Sequence, residues 1–399
     1  MVLRRFLASF WTIVLFATLF AGCASTGKLE RSDTAFIMIV AVGDNLIHKE
    51  LISNAATGDG EFNFEPYYRD VRKFVRSADI AFINQETLTA GEEFGYSGYP
   101  LFNGPTEIAD ALVKTGFNVV NQASNHTMDK GEGAVFAVLN YWKKKRGVTV
   151  LGIHESEAAR EKPAIRTVKG IKIGFLSYTY GLNGLALPKD KPYLVSLIDR
   201  PVMAREIDAL RPLCDFLVVS MHWGNEYEHT PSRKQEDLAG FLAEHNVDLV
   251  IGHHPHVLQP VRWFNRSDGG MMLCFFSLGN FISAQSEHPR MLGGMMRVII
   301  SVQKSGNALP QEGAPGKPRI PKLEHNESSE MLPPAILSAE LIPLVTHYEQ
   351  GFKGFKVYPL ENYSAAQAEL HALNRANNAL TVDYFTNLLK TVLDDADSR

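Results

Sequence analysis

Residue types suited to holding metal ions recur in this chain just after apolar, strand-like runs. They are Asp44 in VGDN, Glu86 in NQE, Asn125 and His126 in SNHTMD, His222 in MHWGNEY, and His253, His254 and His256 in GHHPH. Carboxylate, amide oxygen and neutral imidazole form a mixed hard and borderline donor set. Such a set suits Mn, Fe, Zn or Mg rather than a copper–thiolate or calcium-only site. Two such cations side by side polarise a phosphoryl group and generate hydroxide near neutral pH. Each residue alone also has a plainer reading: Asp44 as a turn or cap after Gly43, Glu86 as a surface charge, His222 beside Trp223 as a half-buried core histidine. GHHPH resists that reading, because packing has no use for three imidazoles in so short a stretch after a buried run.

The elements that must position these side chains alternate between β-type runs and helical patterns, the signature of a layered α/β domain. Strand-like runs are 36–43, 79–84, 117–122, 172–179, 215–223 and 248–254, with helices expected at 105–115, 131–146, 200–211 and 231–245. A further strand-rich stretch covers 256–302. In open α/β sheets, ligand sites form outside the carboxyl ends of strands, which is where the candidate donors fall. The stretch 303–334, rich in Pro, Gly and charge, reads as an exposed excursion. Residues 335–399 return with a strand at 335–345 and an amphipathic helix around 380–394, completing the domain. No internal repeat is visible.

Six separated motifs, GDN, NQE, SNHTMDKG, HWGNEY, GHHPHVLQ and SLGNF, resemble the CapA family of poly-γ-glutamate capsule biosynthesis proteins, in the family's order, over 36–302. That family is in turn similar to calcineurin-like metallophosphoesterases. The resemblance implies a four-layer α/β/β/α sandwich of the metallo-dependent phosphatase type and a pair of divalent metal ions. It further implies Asp44 on one metal, Glu86 in the bridging place, Asn125 and His222 on the second metal, and His254 with His256 as the paired histidines. His126 matches the histidine that gives a proton to the leaving group, and Asp129 is placed to orient it. Which of His253 and His254 begins the pair stays open from sequence; the H-x-H spacing favours His254. Two departures stand out. The phosphoesterase pattern has a His two residues after the first Asp, where this chain has Leu46 and, at another offset, His48; and Glu86 stands where that pattern has Asp.

Smaller signals outline a polar cleft. Trp223, Glu226, Tyr227 and Gln259 flank two of the motifs, Asn280 in SLGNF sits where it can hydrogen-bond near the metals, and the loop from Glu92 to Gly104 carries Tyr96, Tyr99 and Phe102. For those aromatics the plainer reading is loop packing.

At the N-terminus, Arg4 and Arg5 precede an apolar run to Gly22, the charge-then-apolar order of a secretory signal peptide over 1–22. Ala21 and Gly22 before Cys23 resemble a bacterial lipobox, with Phe20 where Leu is usual. Residues 23–35 then form a polar tether, and the expected location is outside the cytoplasm, anchored to a membrane through lipid on Cys23. The other two cysteines, Cys214 and Cys274, sit in apolar runs as core fillers or a single pair. Apolar residues at 45% and charged residues at 21% are ordinary globular usage, and a net charge of −4 with pI about 6.4 gives no basic field for nucleic acid.

Two functions from different classes fit. One is an extracytoplasmic metal-dependent hydrolase acting on a phosphoester or an amide-linked envelope polymer. The other is a non-catalytic accessory protein that binds an anionic envelope polymer and works with polymer synthase subunits in the membrane. A sugar- or peptidoglycan-binding lipoprotein is a third.

Overall fold

A computed structural model of the chain describes residues 34–303, 335–375 and 378–394. In chain order the strands begin with β1 (Thr34–Asn45), β2 (Ala56–Gly58), β3 (Glu61–Phe62), β4 (Ile80–Gln85), β5 (Val119–Asn121), β6 (Thr149–Leu151), β7 (Ile165–Val168) and β8 (Ile171–Thr179). They continue with β9 (Phe216–His222), β10 (Leu249–His253), β11 (Val261–Asn265), β12 (Met271–Phe275), β13 (Asn280–Ile282), β14 (Leu292–Gln303), β15 (Ala335–Glu349) and β16 (Lys353–Pro359).

Two large sheets result. The first runs β16-β15-β14-β1-β4-β5-β6, with β13 pairing onto the end of β1; the second runs β11-β12-β10-β9-β8-β7. Each contains a run of four parallel strands, β1-β4-β5-β6 in one and β8-β9-β10-β12 in the other. The inner strands of these runs are apolar almost throughout because both of their faces are covered.

Side chains alternate along each strand, and the two faces go to different cores. Ile37, Ile39 and Ala41 of β1, with Ile80 and Phe82 of β4, pack against Ile173, Phe175, Phe216, Val218, Leu249 and Ile251 of the second sheet. Their neighbours Val40, Val42, Ala81 and Ile83 turn the other way, onto Ile108 and Leu112 of helix Glu107–Thr115 and Val135 and Val138 of helix Gly131–Trp142. On the far side, Leu217, Val219, Met221 and Val250 meet Met203 and Ile207 of helix Arg200–Leu210 and Leu242 of helix Arg233–Glu244. The order is therefore helix, sheet, sheet, helix, the four-layer sandwich expected.

Element boundaries differ from the sequence reading by a few residues. Thr34 pairs with Gln303 in the β1–β14 ladder, so the first sheet takes in the end of the expected tether and the first residue of the expected excursion. The rest of that excursion, and the segment holding Cys23, lie outside the described residues. Cys214 and Cys274 are buried free thiols rather than a pair. Helix Lys49–Ala55 and strand β16 were not read from the sequence; β16 adds to the antiparallel edge made by β14 and β15.

Candidate metal centre

The candidate donors leave the carboxyl ends of parallel strands in both sheets. Asp44 is next to last in β1, Glu86 follows β4, and Asn125 and His126 follow β5. From the second sheet, His222 closes β9, His253 closes β10, and His254 and His256 come just after it. Close backbone approach makes this convergence possible. A Cβ on Gly43 would stand 1.9 Å from the Gly279 carbonyl oxygen, and one on Gly252 would stand 1.9 Å from that of Phe276. With hydrogen there instead, Asp44 N donates to Gly279 O at 2.9 Å and β13 lies against β1 beside the site. His254 and His256 have φ of +95° and +60°, a conformation that non-glycine residues hold only under constraint from their surroundings.

Donor atoms of Asp44, Glu86 and His222 lie within 4.8 Å of one another, as do those of Glu86, His254 and His256. Glu86 is common to both groups. His222 Nε2 is 2.8 Å from Asn125 Oδ1 and 3.6 Å from Glu86 Oε1. His256 Nδ1 lies 3.0 Å from Asp44 Oδ2 and 3.1 Å from Asn280 Oδ1, leaving its Nε2 on the Glu86 side at 3.8 Å. His254 enters with its ring 4.9 Å from that of His222, and its backbone N–H donates to Asp44 Oδ2 at 3.3 Å. His253, the alternative first member of the pair, lies beneath the cluster, stacked on Phe82 with Nδ1 3.6 Å from Asp44 Oδ1.

The donor residues are buried, and several of their polar atoms are left without partners among the described residues. Both oxygens of Glu86 and Nδ1 of His254 are buried with no hydrogen bond. Such orphans are costly unless something else satisfies them. A carboxylate shared between two sets of imidazole and carboxylate donors is compatible with divalent metal ions.

Charges are distributed unevenly. Burial works to lift the Asp44 carboxyl, but hydrogen bonds and charge from His253 and His256 outweigh it and hold the group well below the usual carboxylate range. Burial drives Glu86 well above that range, with Asp44 adding to the effect. Burial and neighbouring imidazoles push His222 well below its ordinary value and His254 down to about 3. Burial opposes charge on His256 too, yet Glu86 and Asp44 carry it up to about 9.

Beside the donors lies a second pair. His126 Nδ1 is 2.7 Å from Asp129 Oδ2, and that oxygen also accepts from the Phe102 backbone N–H at 2.7 Å. The Phe102 ring meets His126 edge to face at 4.6 Å. Asn183, not singled out in the sequence, accepts from Asn125 Nδ2 at 3.1 Å beside His126.

The remaining candidates divide. His48 packs at 5.1 Å against Phe102, with Nδ1 3.0 Å from the Leu46 carbonyl, outside both donor groups. Trp223 is buried in the layer behind the second sheet, donating from Nε1 to Phe276 O at 2.9 Å. Gln259 is tied up with Gln235 at 2.7 Å and Glu228 O at 2.8 Å. Glu226 is exposed, close enough for its charge to act on Glu86 and His256. Tyr96 packs on Phe62, away from the donors.

Asn84 and Asn121 went unnoticed in the sequence and form the layer behind Asp44. Asn84 Nδ2 donates to Asp44 Oδ1 at 2.7 Å, Asn121 Nδ2 donates to Asn84 Oδ1 at 2.7 Å, and the Ser177 hydroxyl donates to Asn121 Oδ1. The available signal was a polar residue closing an apolar strand, as in AFIN and VVN.

The fold is a four-layer α/β/β/α sandwich with imidazole, amide and carboxylate donors gathered between the carboxyl ends of its two sheets. Residues 38–285 match the family described as bacterial capsule synthesis protein PGA_cap, and the chain belongs to that family. It is 27% identical over 278 residues to the PGA biosynthesis protein CapA of Bacillus subtilis, covering 68% of this chain and 70% of that protein. To the capsule biosynthesis protein CapA of Bacillus anthracis it is 30% identical over 184 residues, 45% of this chain and 43% of the other. Among solved structures it is similar to the NAD nucleotidase of Haemophilus influenzae, at 12% identity and TM-score 0.44, covering 92% of this chain and 57% of that one. A putative 5′-nucleotidase of Staphylococcus aureus gives 13% and 0.45, covering 90% and 58%. The chain thus spans less than two thirds of either solved protein.

Proposed function

We propose that this protein is a metal-dependent hydrolase of phosphoesters, exported and lipid-anchored, that acts in the making of capsule or another envelope polymer. The observation that carries the reading is Glu86, buried with both oxygens unpartnered and shared by two donor groups. In it, Asp44, Glu86, Asn125, His222, His254 and His256 hold one or two divalent ions, of Mn, Fe, Zn or Mg. When bound, such ions polarise a phosphoryl oxygen and lower the pKa of water.

The chain's own contribution is positional. Asp129 accepts the Nδ1 proton of His126 and fixes the ring, so that Nε2 delivers a proton to the departing oxygen. Asn280 accepts from Nδ1 of His256, which directs its Nε2 toward Glu86.

The anchored location rests on the N-terminal pattern ending at Cys23, and detergent partitioning of wild type against Cys23→Ser tests it. Equal membrane partitioning of an uncleaved chain rejects the lipid anchor. The hydrolase reading is tested by metal analysis together with a screen of phosphodiesters and γ-glutamyl peptides. Bound metal with no hydrolysis of either class rejects it in favour of a second reading, an accessory protein that binds an anionic polymer beside synthase subunits. The observation favouring that second reading is Leu46, buried where the phosphoesterase pattern has a histidine.

A further inference from the structure

Exposed tyrosines flank the centre. Tyr180 follows directly on β8, and its backbone N–H donates to His222 O at 2.9 Å, so its position is tied to the site. Its ring lies 4.6 Å from His254 and runs nearly parallel to that of His222 at 6.4 Å, yet it is 47% exposed. Tyr227 adjoins His256 at 6.1 Å and is 40% exposed, pinned by the Arg290 guanidinium at 3.5 Å. It is held at φ +68°, with its N–H donating to Pro255 O at 2.7 Å. Tyr99, 81% exposed, stands against Phe102, which itself packs on His126. Two exposed phenol rings therefore lean on imidazoles of the centre, a third reaches it through Phe102, and none of them is needed to bury a core.

Between these rings are groups that bond hydroxyls. Asn183 lies 3.5 Å from the Tyr180 hydroxyl, and the exposed Glu226 is close enough to Tyr180 and Tyr227 for its charge to act on both. A phenol ring offers a negative π face to polarised C–H groups, while amide and carboxylate take up hydroxyls. Together they match a pyranose ring better than an acyclic chain or a run of carboxylates.

We propose that the exposed tyrosines, with Tyr180 as their platform, recognise the sugar ring of a saccharide phosphoester and present the phosphate to the centre. This deepens the hydrolase reading and rests on it for the placement of the phosphate. Binding can be read without turnover, which keeps failure of the one distinct from failure of the other.

The test uses full-length, Mn-loaded protein and three probes carrying the same phosphate group: glucose 1-phosphate, glycerol 3-phosphate and adenosine 5′-monophosphate. Calorimetric titration should give tighter binding of the glucose ester than the glycerol ester by about tenfold, the scale of one to two aromatic contacts. Tyr180→Ala should pull that ratio toward one, and Tyr141→Ala, on helix Gly131–Trp142 where its hydroxyl bonds Asp110, should leave it as in wild type. Equal binding of the two esters by wild type overturns the proposal, as does a ratio indifferent to Tyr180→Ala. Tightest binding of the nucleotide overturns the saccharide assignment. The screen of phosphodiesters and γ-glutamyl peptides decides the hydrolase reading separately, and the binding ratio decides this one whatever that screen gives.

Discussion

Asn125 Oδ1 lies 2.8 Å from His222 Nε2, and that contact joins the loop after β5 in one sheet to the end of β9 in the other. In the proposed centre both atoms serve one ion. His222→Ala should therefore lower bound metal, and Asn125→Ala should do so less, since only a neutral oxygen is lost. Mn binding should raise the melting temperature of wild type by linkage and raise that of His222→Ala much less. Wild type holding under about one ion per chain, with no stabilisation by Mn or Zn, would sink the metal reading.

His126 is expected to behave differently from the donors. His126→Ala should retain metal while hydrolysis of bis(p-nitrophenyl) phosphate drops about 10²–10⁴-fold, the usual worth of a positioned proton donor. Asp129→Asn should lower the rate in the same direction, because an amide no longer enforces the Nδ1–H tautomer. Loss of metal in His126→Ala would mean that the ring is a ligand, and an unchanged rate would mean that it carries no proton.

The chain of amides behind Asp44 gives a third expectation. Asn121→Leu removes the donor to Asn84 Oδ1 and leaves a buried acceptor, at a cost of about 1–3 kcal/mol in unfolding free energy. Asn84 then holds Asp44 less firmly, and metal affinity should fall about 10–100-fold, as it does when an outer partner of a ligand is lost. Urea unfolding and metal titration read the two effects separately. Normal values in both would show the relay to be incidental.

Protonation should destabilise the ion-free protein in mild acid. His347 and His371 are buried side by side, ring centroids 5.2 Å apart, and burial holds each down from the usual 6.5 to about 4, with Lys356 adding for His347, and His347 and then His288 adding for His371. The unfolded chain takes up these protons first. The contribution of these two groups is then full above about pH 6.5, is lost as pH falls through the window, and levels off below about 4. His48 and His154, also lowered to about 4, add with the same sign, while Glu86, raised in the fold, opposes them by one proton. A urea midpoint that stays constant from pH 7 to 4.5, measured with chelator present, would contradict this account.

The sequence marked the parallel strands and the imidazole-rich loop well, because β4, β9 and β10 are covered on both faces and read as unbroken apolar runs that stop at charged or polar residues. Asn84 and Asn121 could not be told from ordinary strand-end polarity, since only the fold stacks them behind Asp44. Trp223 and Gln259 stood beside the right motifs but point into packing and into a polar bridge to helix Arg233–Glu244. Alternation of side chains decides that, and a motif cannot report which face a neighbour takes. Tyr180, just past the strand-like run 172–179, does not stand out in the sequence, because nothing local distinguishes an aromatic that follows a strand from one that stacks on a distant histidine.

Half of the candidate donors ride on each sheet: Asp44, Glu86 and Asn125 on the one, His222, His254 and His256 on the other. The order of events in the cell is thereby constrained. Until the two sheets dock the six donors are not together, and the proposed ions would contribute to folding only once that closure has formed. A chain threaded through a membrane before it folds would leave its ion behind. The metal would then be drawn from whichever compartment sees the sheets close, so that external metal supply, rather than the cytoplasmic pool, would determine which ion the centre carries.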